Sequence, residues 1–550
     1  MTLKLLIVGG VAGGATTAAR ARRLDESAEI ILFERGEHIS FANCGLPYYI
    51  GGTILQRNSL LVTTPDQLRT RFMIDVRIRH EVIDVDPVKK EITVRDLVKG
   101  EEYRERYDKL LLSPGAEPIR PPIPGIDLNS IFTIRNIPDT LRAEAFIRDR
   151  GPKTAVVVGG GYIGLEMVEN LSDLGIQVTI IEMMDRVLPP FDPEMASIIQ
   201  HHLLNRGVQL HLGDGVQSFR EQAESTIVTT LSGAEFRADM IILAIGVRPE
   251  NDLALKAGLS VGPRGGIMTD STMRTTNPDI YAVGDAVQVM DFVTGQPSLI
   301  PLAGPANRQA RIAADAMFGR NSTFRGTQGT AILKVFDLTA AATGNNEKQL
   351  KALGIPYRAS CTHPPSHATY YPGAQGMAIK LLFSPEDGRI LGTQIIGGEG
   401  VDKRIDVIAT AIMGRMSVFD LEQLELAYAP PYSSAKDPVN MAGFVAANIL
   451  RGDVGIVTWD EIPTLDPATH VLLDVREEIE LRTIGMIQGA LHIPIDELRQ
   501  RLGELDRNIT YVVYCAVGHR GYVACRILMH HGIQCANLSG GFTTYSYARS

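Results

Sequence analysis

Short apolar runs that stop at glycine-rich turns set the rhythm of the first half of the chain. Residues 3–8 (LKLLIV) predict a buried strand, Gly9, Gly10, Gly13 and Gly14 a sharp turn, and the small residues to about Leu24 a helix. A second apolar run, residues 30–33, ends in Glu34 and completes a strand–turn–helix–strand unit. Residues 154–182 repeat that order: strand TAVVV, turn GGGYIG, a helix through Leu174, strand VTII, then Glu182. IILAIG (241–246) and IYAVGDA (280–286) are further strands that end at turns, and an Ala-rich helix runs from about Asn307 to Phe318. Past Gly326 the pattern changes to an α+β mixture over 328–450, with strands such as AIKLLF and LGTQIIG and helices near 401–414 and 437–450. After the linker RGDVGIVTW, the strands HVLLDV and TYVVYC mark a separate α/β segment, 459–550.

The second turn, Gly159-Gly160-Gly161-Tyr162-Ile163-Gly164, has the G-x-G-x-x-G spacing between a strand and a helix. Such a backbone can approach a pyrophosphate while the helix N-terminus supplies amide donors, and Glu182 is placed to accept the ribose hydroxyls. A carboxylate there repels a 2′-phosphate, so NADH is expected rather than NADPH, with Arg186 keeping the alternative open. The first turn, Gly9-Gly10-Val11-Ala12-Gly13-Gly14, departs from the pattern at Val11, and Glu34 restores the ribose acceptor. Two dinucleotide sites in one chain imply two dinucleotides exchanging electrons, a bound flavin and a diffusing nicotinamide. The expected organisation is an FAD-binding domain in two parts (1–150 and 271–327), an NADH-binding domain (151–270), an α+β domain (328–450) and the α/β segment 459–550.

Composition narrows the setting. The 53 glycines in 550 residues fit a turn-rich, modular α/β protein. A balance of 54 basic against 63 acidic residues, without a long basic run, suggests neither nucleic acid nor an anionic membrane as partner. No apolar run is long enough for a membrane span, no Cys/His spacing suggests a metal, and the five scattered cysteines fit a reducing cytoplasm.

SFANCGLPYYIGG (40–52), LLLSPGAEP (110–118), VVVGGGYIGLE (156–166), LAIGVRPEN (243–251) and IYAVGDAV (280–287) resemble the flavin-dependent pyridine nucleotide–disulfide oxidoreductases. Within them, the single-cysteine SFANCGLPY and YAPPYSSAKDP (428–438) resemble the coenzyme A–disulfide reductase and NADH oxidase branch. The resemblance implies a homodimer with shared active sites and small thiol or persulfide substrates. It implies cofactor contacts at Arg35, Asn43, Ser113, Pro114, Gly115, Gly246, Gly284 and Asp285, beside the two glycine turns and their carboxylates. It also places Arg20, Arg23 and Arg71 at the phosphates of coenzyme A, with Ser40 and Asn43 near its thiol end, and counts Asn307 and Lys436 among the substrate contacts. Tyr370 and Tyr428 are expected to be lent to the partner's active site, with Tyr371 a neighbouring alternative to Tyr370.

Cys44 is the residue on which the chemistry turns. It precedes a tight turn with Pro47 suited to the first turn of a helix, so helix-end amides are expected to favour its thiolate. With tyrosines at positions 48 and 49, no second cysteine stands where two-cysteine reductases have one. A lone thiol beside a flavin must cycle through a mixed disulfide or a sulfenic acid.

LLDVR (472–476), GMIQGALHIP (485–494), YCAVGHRG (514–521) and NLSGGF (537–542) resemble a rhodanese module. Its loop from Cys515 to Arg520 is sized for a persulfide, one residue shorter than a phosphatase loop, with Arg520 balancing the sulfur's charge. Cys525 and Cys535 read as core, and Cys361 has no assigned role. The expected function is NADH-dependent reduction of coenzyme A persulfide, and of polysulfide and coenzyme A disulfide, through Cys44, with Cys515 relaying sulfane sulfur. The alternatives are an NADH oxidase working through a Cys44 sulfenic acid and a non-enzymatic redox sensor.

Overall fold

The computed structural model describes residues 2–549. The chain divides into two compact units, residues 1–185 with 208–329, and residues 186–207 with 330–550.

The first unit contains two parallel five-stranded sheets. In one, the strands lie in the order Ile280–Ala282, Lys109–Leu112, Lys4–Val8, Glu29–Glu34 and Asp75–Ile78. In the other the order is Gln209–Leu212, Gln177–Glu182, Thr154–Val158, Met240–Leu243 and Ile131–Phe132. The central strands are runs of Leu, Ile and Val because helices cover both faces of a parallel sheet, and Leu5, Leu6, Ile7, Val157 and Ile242 are fully buried. Each sheet therefore presents its chemistry only at the carboxyl ends of the strands, where the chain turns. Helix Ala12–Leu24 lies against helix Ala303–Met317 along a line of small residues, and the Thr17 hydroxyl donates to the Ala310 carbonyl at 3.3 Å. The expected helix near 307–318 thus begins earlier, at Ala303, since Gly304 and Pro305 fit a first helical turn.

The second unit contains an antiparallel sheet in the order Ala331–Val335, Leu338–Gly344, Ile390–Gly397, Met377–Phe383 and Arg358–Thr362, with helices Val401–Met413 and Pro438–Leu450. It also contains a parallel sheet in the order Gly455–Val457, Cys535–Leu538, Thr510–Tyr514, His470–Asp474 and Leu491–His492. Both sheet classes anticipated from the strand patterns are present, parallel sheets of an α/β kind and an antiparallel sheet with helices of an α+β kind. Helix Pro193–Asn205, which follows the second dinucleotide motif in sequence, belongs to this unit.

Lys380 ties that helix to the antiparallel sheet. Its ammonium is buried and meets Asp192 at 3.0 Å, Glu347 at 2.8 Å and Glu194. Burial opposes its charge, but the three carboxylates hold its pKa well above the usual lysine range. Removing one partner from such a cluster leaves buried charge uncompensated. Lys380→Met is expected to destabilise this unit by about 3–5 kcal/mol, seen as an earlier urea transition; an unchanged midpoint would show the cluster to be dispensable.

Candidate functional site

At the first turn, Gly9 follows its strand with φ +94°, and a Cβ on Gly14 would stand 1.8 Å from the Gly9 carbonyl oxygen. Glycine there lets the helix start hard against the strand end. Val11, in the position of the motif's middle glycine, is the helix N-cap and makes no side-chain capping bond, leaving the amides of Ala12 and Gly13 to a ligand rather than a cap. Glu34 is fixed by two backbone amides, accepting from Gly10 at 2.8 Å and from Gly36 at 2.7 Å. The neighbouring strand end brings Ser113, Pro114 and Gly115 alongside, the Ser113 amide donating to the Val8 carbonyl at 2.8 Å. Gly284 and Asp285 close the same sheet edge, with the Gly284 amide bonded to Gln309 at 2.8 Å. Burial pushes the Asp285 carboxyl up, against the pull of Arg135.

The second turn repeats this geometry. A Cβ on Gly164 would lie 2.0 Å from the Gly159 carbonyl oxygen, Glu182 accepts from the Gly160 amide at 2.7 Å, and Tyr162 and Ile163 open the helix. Gly161 faces open space, with no atom within 4 Å of where its Cβ would be. That space is what the approach of a pyrophosphate requires. Both turns therefore fit a dinucleotide, the first being the one expected to take FAD and the second the one expected to take NADH. Gly246 ends the strand beside the second turn, and Arg35 pairs with Glu250 at 2.6 Å.

Cys44 sits in a single 3-10 turn, Asn43–Gly45, running into the short helix Leu46–Ile50. Gly51 behind it approaches Asn170 so closely that a Cβ would stand 2.0 Å from the amide oxygen, which seats this helix on Tyr162–Asp173. The second dinucleotide helix thereby brings Glu166 to the thiol. Cys44 reaches solvent, yet burial by the surrounding protein, and then the charges of Glu166 and Asp285, push its pKa up. This differs from the expected helix-end activation: five residues make too short a helix to outweigh two carboxylates. Burial and Glu169 push Glu166 itself up to about 7. The Asn43 amide, turned so that its nitrogen donates to the Phe41 carbonyl, accepts from Arg135 at 3.0 Å.

Arg20 is largely buried, its Nε and Nη2 both donating to one oxygen of Asp315 at 2.9 and 2.7 Å, Arg23 and Arg71 are exposed, and Asn307 accepts from the Thr16 hydroxyl at 2.7 Å. Ser40 takes up a left-handed backbone, φ +45°, and its amide donates to the Gly10 carbonyl at 2.9 Å. Arg135 and Glu166 escaped the sequence reading. Glu166 left a trace, as one of two carboxylates three residues apart in an otherwise apolar stretch of helix, whereas Arg135 is joined to Asn43 only by the fold.

In the second unit, the Tyr370 and Tyr428 hydroxyls meet at 2.7 Å, and that bond raises the Tyr370 pKa. Tyr370 is 74% and Tyr432 73% exposed, with Tyr371 and Lys436 on the same surface loops. Beneath them the buried Arg404 donates to the Ser366 carbonyl at 2.9 Å, to Ser433 at 3.2 Å and to Asp437 at 3.0 Å, tying both tyrosine loops to one point.

The Cys515 loop follows strand Thr510–Tyr514, and the Gly518 amide donates to the buried Cys515 sulfur at 3.1 Å. The amides of Phe542 and Thr543 clamp the carbonyls of Cys515 and Ala516 at 2.8 and 2.9 Å, an approach that requires glycine at 541, where a Cβ would lie 2.4 Å from the Cys515 carbonyl oxygen. Arg520 faces Cys515 and forms a bidentate pair with Glu480. Below, Arg476 is sealed in by Asp474 at 2.6 Å and by the Phe542 ring, 4.2 Å from its centroid.

Comparison with known proteins decides the family. Residues 3–309 match the pyridine nucleotide-disulphide oxidoreductases, 330–438 their dimerisation domain, and 462–548 the rhodanese-like domain. The chain belongs to the pyridine nucleotide-disulfide oxidoreductases. Among relatives of this oxidoreductase, the coenzyme A disulfide reductase of Staphylococcus haemolyticus is 36% identical, over 81% of this chain and all of its own. An NADH oxidase of Methanocaldococcus jannaschii is 36% identical over 80% of this chain and 98% of its own. The crystal structure of reduced CoADR-RHD from Bacillus anthracis superposes with a TM-score of 0.98 at 51% identity, covering 100% of this chain and 98% of the other. The NAD-dependent persulfide reductase from A. fulgidus gives 0.92 at 37% identity, covering 99% and 100%. Among the described residues, no helix is long and apolar enough to cross a membrane.

Two outcomes test this geometry. Gly14→Ala should yield protein without flavin absorbance, because the added methyl must displace the Gly9 carbonyl; retained flavin would refute the cradle. Glu166→Gln removes a negative neighbour of Cys44, so the pH midpoint for alkylation of the thiol should move down; an unmoved midpoint would leave burial and Asp285 as the causes of the shift.

Proposed function

We propose that this oxidoreductase uses NADH to reduce the sulfur–sulfur bond of coenzyme A persulfide, with polysulfide and coenzyme A disulfide as further substrates. The observation that carries this reading is the presence in one chain of a lone thiol between two dinucleotide turns and an intact Cys515–Arg520 loop. Bound FAD supplies a route for two electrons from NADH to sulfur. Cys44 attacks the coenzyme A-bonded sulfur of the persulfide, forming a mixed disulfide and expelling hydrosulfide; two electrons then restore the Cys44 thiolate and release coenzyme A thiolate. Attack on the terminal sulfur instead leaves a persulfide on Cys44 and expels coenzyme A thiolate. The proposed role of Cys515 is to load sulfane sulfur from a donor and pass it to coenzyme A.

In the proposed homodimer, Tyr370 and Tyr428 are offered to the partner's Cys44, where a phenol can protonate a leaving thiolate. Their exposure, and the match of their region to a dimerisation domain, support that assignment. Arg20, Arg23, Arg71, Ser40, Asn43, Asn307 and Lys436 are proposed as the coenzyme A contacts.

Anaerobic turnover with NADH and coenzyme A persulfide tests the reading. Cys44→Ser should lose at least about a hundredfold in hydrosulfide release, and full retention would overturn the mechanism. Cys515→Ser should spare the small persulfide and impair elemental sulfur; equal rates on both would remove the relay. The Methanocaldococcus jannaschii relative supports a second reading, reduction of oxygen through a Cys44 sulfenic acid. Rapid oxygen consumption with NADH and no thiol would identify it.

A further inference from the structure

Glu480 is held from two sides. It is the third residue of helix Glu478–Ile484, and with Glu477 it forms a capping box, so that its Oε2 accepts from the Glu477 amide at 3.0 Å. The same oxygen accepts from Arg520 Nη1 at 2.6 Å, and Oε1 accepts from Arg520 Nη2 at 2.7 Å. Both side chains are about one-quarter to one-third exposed, so this pair lies at the mouth of the Cys515 loop rather than in the core. Arg476 adds a second positive charge near Glu480. Arg520, the side-chain cation facing the Cys515 sulfur, therefore reaches that sulfur with its charge already matched by a carboxylate.

We propose that Glu480 is a specificity-determining residue of the Cys515 loop: by neutralising Arg520 it admits a persulfide terminus and turns away dianionic sulfur donors. The inference rests on the reading of Cys515 as a sulfur carrier. With a persulfide RS–SH, the Cys515 thiolate bonds to the outer sulfur, the RS–SH bond breaks, and RS⁻ leaves while Cys515 becomes Cys–S–SH. One negative charge enters the step and one leaves it. With thiosulfate, the thiolate bonds to the outer sulfur and sulfite departs with the electron pair, leaving Cys–S–S⁻; three negative charges then share the loop. An unopposed Arg520 would stabilise that crowd of charge, and Glu480 withholds it.

The test measures sulfur transfer to cyanide, as thiocyanate, in the full-length flavin-loaded protein, with thiosulfate and with glutathione persulfide as donors. Glu480→Gln keeps the capping box, since an amide oxygen serves the Glu477 amide equally well, and removes the charge together with the oxygen that accepts from Arg520 Nη2. It should lower the thiosulfate KM about tenfold, leave the persulfide KM within about twofold, and make sulfate a competitive inhibitor, with these gains fading as salt rises. Glu480→Asp, which withdraws the carboxylate, should shift donor preference in the same direction by less. If both KM values stay put or rise together in the two variants, Glu480 is a scaffold residue and the proposal falls alone. If Cys515→Ser still yields thiocyanate from both donors, the carrier reading falls and takes the proposal with it.

Discussion

A parallel strand that ends and turns at once into a helix leaves a row of amides with no partner in the sheet, and this protein uses that constraint three times. Gly9–Gly14, Gly159–Gly164 and Cys515–Arg520 are all such turns, each at the carboxyl edge of a five-stranded parallel sheet. The first two are drawn tight by close backbone approach at Gly14 and Gly164 and backed by a carboxylate, suiting them to a nucleotide. In the third, a sulfur atom occupies the place the phosphate would take, and the Gly518 amide points at it. One backbone device thus serves both electron carriers and a sulfur site, and the side chains at its rim decide which.

Much of this was legible in sequence because the device is local. Strand, turn, helix and acid fall within about thirty residues, and each step has its own residue signature. The same holds for the Cys515 loop. What the sequence left dark depends on distant packing. The pKa of Cys44 is raised by burial and then by Glu166 and Asp285, which come from two other segments, and no pattern near residue 44 announces them. Arg135, joined to Asn43, is invisible for the same reason. Arg20 shows the converse: its position on the first helix suggested a phosphate ligand, and only the fold reveals Asp315 across from it.

The second unit is organised by buried charge where the first is organised by glycine. Lys380 and Arg404 are nearly inaccessible, and each gathers segments that are remote in sequence: Asp192, Glu194 and Glu347 around one, Ser366, Ser433 and Asp437 around the other. Such clusters specify one arrangement more than they stabilise it, because an apolar replacement of equal volume would also fill the space. The loops that present Tyr370 and Tyr428 are placed by this means, which allows them to be solvent-exposed and still ordered.

The C-terminal helix Gly541–Arg549 does two jobs at once. Its first amides grip the carbonyls of the Cys515 loop, while Thr544 bonds to His363 at 2.8 Å and Tyr547 lies 5.5 Å from the His201 ring. Ser539, just before it, accepts from the Cys361 amide at 3.0 Å. The sulfur loop is bolted to the antiparallel sheet through the helix that shapes it. In the proposed cycle, coenzyme A takes the cargo from Cys515 as a diffusing thiol. Delivery becomes a second-order process, and throughput follows the free concentration of the carrier instead of a fixed intramolecular rate.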